Sequence, residues 1–554
     1  KLGWKDGPTD VALTMSHANN ALTGNGMQEE RMLANDYRSI YTKPDETHNR
    51  STLLNLTGKH VVNDTTLLAG NAYYRNMRTR TLNGDVNDGA LGIDFVDAFP
   101  NATCLQEAAS PGGGDADEQC TGMKNRSQTR QKNYGFSGQL TLLDNLVGYK
   151  NQFTTGLAYD TNRTDFKQSS EFGYINADRS VTGTQAFVDE LDPNVHLKGK
   201  ASTWSLFATD TVSIRNNWHV TMSGRYNRTH IVNNDQILPG GGAGSLDGDY
   251  VFQRFNPAIG TTYAWTPALS GYVGYNEGNR TPTSIELGCA DPANPCKLPN
   301  AMAGDPPLKQ VVTKTWEAGL RGAFSRQTQW TAGVFHAQST DDILFVAAPN
   351  ASSFGYFKNF GTTQRQGLEL GLNSHQGPLK LAAHYTLLKA TYQSSEELGG
   401  DSNSTNNSGN ISITPGNTIP LTPKHMLKLH ADYAWSEAWN TGLGMTAFSG
   451  MYARGNENNQ HVADGDEHLG SGRTTGYAVF NFNAGYKATK DTQWMLNVMN
   501  LFNRQYATAG QLGPAAFSAN GQQFVSSSTR EQHSMFVAPG APRSVWLSMR
   551  HTFN

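Results

Sequence analysis

The segment between residues 203 and 227 alternates apolar and polar positions on two arms, which a short Arg-Asn-Asn turn joins. On the first arm the apolar residues occupy all but one of the alternate positions from Trp204 to Ile214. On the second arm they occupy every second position from Trp218 to Tyr226. Side chains on a β-strand point to opposite faces with a period of two, so each arm has one apolar and one polar face. The pattern predicts a β-hairpin. Aromatic residues at the ends of an apolar face are typical of strands that face lipid.

The same alternation recurs along most of the chain. Further segments with one apolar and one polar parity are 255–265, 269–275, 368–372, 379–387, 427–435 and 478–486. Several strands join through brief polar turns, such as 488–491, whereas their other ends open into long segments rich in Gly, Asn, Ser and Asp. Short turns at one rim and long loops at the other are typical of outer-membrane barrels. The predicted fold class is therefore all-β: a transmembrane antiparallel β-barrel with short periplasmic turns and long extracellular loops.

Composition supports this fold and excludes others. Of the 554 residues only 16% are charged and 37% hydrophobic, which suits a barrel with a wet lumen better than a soluble globule. No run approaches the ~18 apolar residues of a membrane helix, so a membrane crossing would be made by strands. A net charge of −3 without a basic block argues against nucleic acid as a partner.

At about 9–11 residues per spanning strand, the length predicts about 22 strands in one barrel domain covering 1–554.

The cysteines form two local pairs. Cys104 and Cys120 lie in one loop-like segment, and Cys289 and Cys296 lie in another. The local pairing is the only one of the three arrangements that avoids tying two distant loops together. An oxidising envelope compartment permits such loop disulfides. The alternative, a metal site, has no Cys-x-x-Cys spacing to support it. We therefore predict two loop disulfides and no metal centre.

Strand parity also predicts which residues face lipid and which face the lumen. The residues expected to face lipid are Trp204, Val220, Met222, Leu370, Leu429, Phe480 and Phe482. The residues expected to line the lumen are His219, Arg225, Glu369, Lys428, His430 and Asp432. Inward charges of this kind hydrate a lumen or contact a plug, and a role in substrate passage is the alternative.

Blocks in the second half of the chain resemble a known family. These blocks are YNEGNRTPTSIEL (275–287), KTWEAGLRG (314–322), NFGTTQRQGLELGL (359–372), LTPKHMLKL (421–429), NVMNLFNRQYA (497–507) and a last strand, SVWLSMRHTF. Their order resembles the barrel of TonB-dependent outer-membrane receptors, most strongly from about residue 200 onward. In that family the terminal aromatic residue is an assembly signal, and here Phe553 matches it, with Asn554 following.

The resemblance implies a location and a set of partners. It places the chain in the outer membrane of a Gram-negative bacterium, in contact with outer-membrane lipid and lipopolysaccharide. It also implies barrel-assembly machinery, a small-molecule cargo, and TonB with its inner-membrane energising complex. The chain opens directly on a barrel-like strand, without a signal peptide, energy-coupling box or plug ahead of it. We therefore expect this sequence to be the barrel portion of a longer protein.

Two classes of function stay open at this point. The resemblance favours active import of a scarce nutrient, with ferric siderophores or related metal chelates as the first cargo class. Cobalamin, a sugar or a small cofactor would be a non-iron cargo. The alternative class is a passive or substrate-selective porin.

We find no Ser-His-Asp, paired-carboxylate or metal constellation that supports catalysis, and no resident cofactor is predicted. A cluster of acids and histidines at 461–468 fits a solvated loop better than a cation site.

The segment from residue 277 to 308 is the predicted cargo-binding loop. It combines a strand end, a cysteine-closed loop and a proline-rich return, which together reduce the freedom that ligand binding would otherwise have to remove. Arg280 stands at its mouth, with Tyr275 and Glu277 just below. A guanidinium there could pair with a carboxylate, phosphate or catecholate-type anion. The competing interpretation is that Arg280 pairs with an acid of a neighbouring loop or of the plug.

Overall fold

A computed structural model of the chain describes residues 1–24, 26–93, 95, 97–146, 148–241, 244–288, 308–348, 351–525 and 532–553. Strands dominate these residues. In chain order the strands are β1 (Leu2–Asp6), β2 (Thr9–Thr23), β3 (Gln28–Glu29), β4 (Asp45–Asn63), β5 (Thr66–Val86), β6 (Gly122–Leu146), β7 (Tyr149–Ile175), β8 (Val181–Phe187), β9 (Val195–Arg215), β10 (Trp218–Asp235), β11 (Gly248–Thr266), β12 (Leu269–Arg280), β13 (Val311–Ser325), β14 (Thr328–Ala348), β15 (Ala351–Gln376), β16 (Leu379–Tyr392), β17 (Glu396–Gly399), β18 (Asn410–Ile413), β19 (His425–Ala434), β20 (Trp439–Phe448), β21 (Tyr477–Lys487), β22 (Thr492–Met499), β23 (Ala507–Pro514), β24 (His533–Pro539) and β25 (Ser544–His551).

Helices are few and short. They are α1 (Glu30–Asn35), α2 (Asn101–Ala108), α3 (Ala116–Gln119) and α4 (Ser284–Leu287), with 3₁₀ turns at Asp88–Ala90, Pro111–Gly113 and Val188–Glu190. Among the described residues, none of these helices has the length and apolar character needed to cross a membrane.

The long strands form one antiparallel sheet of 20 strands, which is the barrel wall. Its strands pair in chain order as a meander from β1 to β25. The short strand β8 is the exception: it pairs with the last residues of β7, and β9 pairs with the rest of β7. Hairpin turns at one end are tight, and Gly7 and Gly377 supply the positive φ that two of them need. Over the described residues no backbone ladder joins β25 to β1, so the seam of the wall lies between these two strands.

The strand count is close to the length-based prediction of about 22. The difference arises because several strands are longer than a membrane crossing requires. β6 has 25 residues, β7 has 27 and β15 has 26, against about 9–11 for a spanning strand. In addition, β17 with β18, and β3 with β23 and β24, form two small sheets outside the wall.

Cross-strand register divides the side chains of the wall between two faces. Met222 lies opposite Ile259, whereas Arg225 lies opposite Asn256. Directly opposed residues in an antiparallel pair share a face. The first face carries the residues predicted to face lipid, Trp204, Val220, Met222, Leu370, Leu429, Phe480 and Phe482. The second face carries the residues predicted to line the lumen, His219, Arg225, Glu369, Lys428, His430 and Asp432.

The second face is the inner one, because loops cover its upper part. Leu197 of β9 is buried together with Leu246, which lies in the loop before β11. Ile231 of β10 is buried with Leu287 of α4. On the first face, by contrast, Met222 is 56% exposed. The apolar parity is therefore the outer surface of the barrel, as the alternation predicts.

Aromatic side chains on the outer face gather at two levels. The level nearer the long loops consists of Phe136, Tyr159, Trp204, Tyr226, Phe255, Tyr275 and Trp316. The level nearer the short turns consists of Trp218, Tyr263, Trp265, Phe324, Trp330, Trp435, Trp439 and Trp494. Trp316 and Phe324 belong to different levels of β13, which puts them about 26 Å apart along the strand. With a tilt of about 40° this gives a band of roughly 20 Å, close to the apolar band of an outer-membrane barrel.

The predicted loop disulfides have different outcomes. Cys104 of α2 is bonded to Cys120, just after α3, in the loop between β5 and β6. This pairing is confirmed. Both cysteines are fully buried, and they pack with Ala116 beneath the loop helices. Cys289 and Cys296 lie outside the described residues, so the second bond stays a prediction.

Face assignment is testable at a matched pair of neighbours. We expect Leu429→Arg to cost roughly 2–4 kcal/mol, because it puts a charge on the lipid side of β19 near mid-membrane. His430→Leu, on the inner side, should cost much less. Urea unfolding of both variants in lipid vesicles measures this difference. A harmless Leu429→Arg together with a His430→Leu variant that fails to assemble would mean that the register is shifted by one residue.

The disulfide is expected to order its loop and not the wall. Replacing both Cys104 and Cys120 with Ser should leave heat-modifiable barrel formation unchanged, since the strand ladder does not pass through the bond. Limited proteolysis should then cut residues 87–121 faster than in the parent protein. Equal cleavage rates, or loss of the folded barrel, would contradict this division of roles.

Candidate functional site

The loops at the long-loop end pack on one another into a layer that we call the mouth. It contains the small sheet of β3, β24 and β23, the helix α1, and the loops before β6, β19 and β21. Ala453, Leu512, Met535 and Val537 form a buried cluster there, with Leu33 of α1 against it. The mouth is therefore a packed structure above the lumen.

Arg280, at the end of β12, has a partner in its own loop. Its Nη1 atom donates to both carboxylate oxygens of Glu286, at 2.9 Å each. Glu286 also accepts from the backbone N–H of Thr283 (2.8 Å), whose hydroxyl accepts from the Glu286 N–H (3.1 Å). This capping box starts α4. Arg280 remains 47% exposed in its side chain while Glu286 is 13% exposed, so the guanidinium keeps an open side at the mouth.

Tyr275 and Glu277 do not join Arg280 on the lumen side. Tyr275 lies opposite Ile259 and Trp316 on the outer face, and its ring is 4.7 Å from that of Trp316. Its hydroxyl donates to Glu277 Oε1 at 2.6 Å. The other carboxylate oxygen of Glu277 accepts from Arg254 of β11. Tyr275 thus belongs to the aromatic level, and the predicted cargo trio does not converge on one surface.

Glu277 lies where β11 and β12 separate. The ladder between these strands ends at Ala258 opposite Asn276. Above that point polar side chains bridge the gap: Glu277 pairs with Arg254, and Asn256 donates to Asn279 at 2.7 Å. The role of Glu277 in this geometry is to close the wall.

The predicted lumen residues sit on the inner face but make local contacts. His430 and Asp432 of β19 are 2.9 Å apart, between Nε2 and Oδ2. Arg225 donates from Nε to Asn227 (2.9 Å) and lies over the Phe207 ring at 5.5 Å. His219 bonds to Ser213 through Nδ1 at 2.9 Å. Lys428 lines the same pocket as His430. For all of these residues, and for Glu369, a role in passage stays a prediction.

Ion pairs near the long-loop end join β15 to a loop and to its neighbouring wall strand. Lys358 of β15 bonds to Glu396 of β17 at 2.7 Å. Arg365 of β15 reaches Asp342 of β14 at 3.3 Å, and the hydroxyl of Thr363 donates to the same carboxylate oxygen at 2.7 Å. These side chains are part-buried, where an ion pair is screened less by salt than at an exposed surface. The first pair holds the loop that contains β17 against β15, and the second holds β14 to β15.

A buried arginine joins three further segments. Arg179, in the turn between β7 and β8, places its guanidinium 3.5 Å from the Phe517 ring centroid. It donates to the carbonyl oxygens of Gly521 (2.7 Å) and Tyr41 (3.3 Å). Burial lowers the pKa of Arg179 to about 10, which still leaves it charged at neutral pH. The Tyr41 hydroxyl accepts from the Ala516 N–H at 3.0 Å, and burial raises the Tyr41 pKa above its ordinary value.

Three histidines meet where the loops before β19, β21 and β25 converge. The His468 ring is 5.8 Å from His461 and stacks on His533 at 5.5 Å. Each is under 9% exposed. His461 accepts from the Ser404 N–H at Nδ1 and bonds to the Gly470 carbonyl through Nε2, so both its nitrogens are occupied. A metal site is not formed by these residues, and within the described ranges no group of His, Cys, Asp or Glu has metal-binding geometry.

The environment of this cluster lowers the pKa of two of its members, His533 and His461. Burial, and then the neighbouring His468 and His461, lower the pKa of His533 to about 4. Burial is also the largest cause that lowers the pKa of His461. The solvated loop predicted for 461–468 is wrong for His461 and His468, since both are buried. His533 could not be assigned to this cluster from the sequence because it is distant in the chain, and the burial has no periodic signal.

Comparison with known proteins fits this architecture. Residues 4–501 match a family model whose description is "TonB dependent receptor-like, beta-barrel". The probable TonB-dependent siderophore receptor PiuA of Acinetobacter baumannii is 22% identical over 70% of the chain and 51% of PiuA. The catecholate siderophore receptor Fiu of Escherichia coli K12 is 20% identical over 56% of the chain and 39% of Fiu. The chain thus spans about half the length of these relatives or less.

A solved structure shows the same fold. The closed form of the ferric-catecholate import receptor Fiu from Escherichia coli K12 superposes with a TM-score of 0.69 at 15% identity, covering 98% of this chain and 72% of that one. The short turns, the long inward loops and the terminal strand therefore agree with a barrel of known architecture. Because the family model covers almost the entire sequence, the chain belongs to the TonB-dependent receptor-like β-barrel family.

Proposed function

We propose that this chain is the barrel of an outer-membrane receptor that imports a ferric siderophore or a related metal chelate into a Gram-negative cell. The observation that carries the proposal is the family match over residues 4–501, together with curated relatives that are siderophore receptors. The barrel acts by binding and admitting cargo, not by catalysing a reaction. Cobalamin, a sugar or a small cofactor is the alternative cargo.

The mouth supports a gated receptor over an open pore. The Arg179 contacts and the histidine cluster join its loops to one another, and the Lys358–Glu396 ion pair holds the loop that contains β17 against β15. A layer of this kind presents a preformed surface, which lowers the ordering cost of binding a ligand. The runner-up, a passive or substrate-selective porin, needs a lumen that stays open to solutes.

The remaining parts of the proposal follow from family membership. A plug and an energy-coupling box, in residues outside this chain, would receive energy from TonB and its inner-membrane complex. Phe553, exposed after β25, would serve as the signal for barrel-assembly machinery. Arg280 would meet an anionic group of the cargo with the side of its guanidinium that Glu286 leaves open.

Uptake of labelled iron tests the function. The full-length receptor, expressed in a Gram-negative strain that lacks its own siderophore receptors, should import ⁵⁵Fe as a catecholate or hydroxamate complex only when TonB is present. Equal uptake in a strain without TonB, together with a large constant single-channel conductance, would establish the porin instead. Uptake of labelled cobalamin without iron uptake would assign the alternative cargo.

Arg280 and Glu286 provide a matched pair for the cargo site. We expect Arg280→Ala to weaken binding of the ferric complex about tenfold or more, the loss of a charged hydrogen bond of about 1.5–3 kcal/mol. Glu286→Gln should leave affinity unchanged or improve it, since it frees the guanidinium. Equal losses in both variants would show that Arg280 acts by holding α4, and unchanged affinity in Arg280→Ala would remove it from the site.

The histidine cluster predicts a pH response of the mouth. His533 is neutral in the folded protein down to about pH 4, whereas the ordinary value is 6.5. Between pH 6.5 and pH 4 the unfolded chain therefore binds a proton at His533 that the folded protein does not. The free energy of unfolding is unaffected by His533 above pH 6.5 and falls by on the order of 3 kcal/mol as the pH falls toward 4. Its neighbours are His461, His468 and Asp464, which bonds to His468 at 3.1 Å.

Hydrogen exchange at pH 7 and pH 4.5, corrected for the intrinsic rate, measures this response. The loops at 396–419 and 456–472 should lose protection in acid while the wall strands keep theirs. His533→Gln, which cannot be protonated, should flatten the pH dependence of the same loops. Equal protection of these loops at both pH values would contradict the assignment.

A further inference from the structure

The outer surface carries a concentrated positive patch above the upper aromatic level. It lies on β4, β5, β6, β7 and β9, where the strands continue past the aromatic residues toward the long loops. We call it the basic belt, and its members are Arg50, Arg78, Arg80, Arg130, Lys132, Arg163, Lys167, Lys198 and Lys200. These residues have the same parity as Phe136, Tyr159 and Trp204, so they belong to the outer face.

Burial confirms the direction of these side chains. On β6, Arg130 and Lys132 are exposed, whereas the alternate residue Asn133 is 5% exposed. On β9, Lys198 and Lys200 are exposed, while Leu197 is fully buried. The belt therefore points away from the lumen and away from any cargo in it.

Like charges face one another directly across the strands of the belt. Arg78 of β5 lies opposite Arg50 on one side and Arg130 on the other. The next row repeats the arrangement with Lys132, Arg163 and Lys200 on β6, β7 and β9. Directly opposed like charges destabilise a sheet. An anion that bridges the rows would turn this repulsion into attraction.

The protein itself supplies little compensation. Asp165 lies in the same row as Arg130 and Lys198, but its bond is to His196, at 3.2 Å. Arg78 donates to the neutral side chain of Gln128 at 2.8 Å. Throughout the part of the chain that the structure describes, no belt cation forms an ion pair with a carboxylate.

The belt lies just outside the level of the lipid headgroups. Lys132 is about 13 Å along β6 from Phe136, which at a tilt of about 40° is roughly 10 Å above the aromatic level. Aromatic residues of such levels sit at the headgroup region. With strands about 4.8 Å apart, the belt is about 20 Å wide and extends about 13 Å along the strands, large enough for several phosphates at once.

We propose that the basic belt is a binding site for the phosphate groups of lipopolysaccharide in the outer leaflet. This rests on the proposed outer-membrane location and names the residues of that lipid contact. Guanidinium groups bind phosphate through paired, charge-assisted hydrogen bonds, and lysines add compact charges. A lipid with several phosphates matches the paired rows better than one with a single phosphate. The long-loop end of the barrel, where the belt lies, faces that leaflet.

Binding of purified lipopolysaccharide to the detergent-solubilised full chain tests the proposal. Replacing Arg50, Arg78 and Arg130 with Gln should weaken binding at least fivefold, measured by native mass spectrometry. The same three positions changed to Lys should keep most of the affinity. The control exchanges Lys314 and Lys389 for Gln, since both lie on the outer face of other strands, and should leave binding unchanged. Heat-modifiable mobility confirms that each variant is folded.

Two further ligands separate the source of the phosphate. Dephosphorylated lipopolysaccharide should bind at least fivefold more weakly than the intact lipid, and phosphatidylglycerol should compete poorly. Unchanged binding by the Gln variant, or equal binding of the dephosphorylated lipid, would overturn the proposal. Equal competition by phosphatidylglycerol would overturn it too, by reducing the belt to a general anionic-lipid surface. The assay contains no cargo, so its outcome is independent of the uptake experiment.

Discussion

In the hydrocarbon of a membrane, a backbone N–H or C=O group finds no partner except another backbone group. This requirement makes the strand ladder the constraint on which the remaining structure depends. Once the ladder is continuous, each residue of the wall is assigned to one of two faces by its position alone. The same rule that puts Met222 on the lipid side puts Arg225 on the lumen side. Packing on the wall is secondary to this register.

The ladder also explains why the wall was predictable from the sequence. Alternation is a local property with a period of two, and a lipid face and a wet face differ strongly in polarity. Leu429 and His430, neighbours on one strand, therefore take opposite faces of the wall. The local pair Cys104 and Cys120 was predictable for a related reason, because both cysteines lie in one loop. The position of Tyr275 was not predictable in this way, because an aromatic residue near a loop suits either a binding mouth or the aromatic level.

The mouth depends on contacts that no local pattern encodes. His533 contacts the cluster of His461 and His468, which is distant in sequence. Arg179, between β7 and β8, contacts Phe517, which lies between β23 and β24. Glu286 is the partner of Arg280 because a capping box fixes its carboxylate at the start of α4. The basic belt is an intermediate case. Its alternating cations on β6 and β9 have the period of a strand, but only the register shows that they lie side by side.

The small sheet of the mouth pairs strands from opposite ends of the chain. Glu29 and Gln28 of β3 lie opposite Phe536 and Val537 of β24. The loop closed by this pairing is almost as long as the chain, so its entropic cost falls on whichever step brings the ends together. While the chain is being synthesised and inserted, β3 cannot pair with β24 until the residues just before the last strand have been made. The small sheet can therefore form only after every wall strand up to β22 has been made, and a barrel stalled before its final hairpin would present an unfinished entrance to the outside.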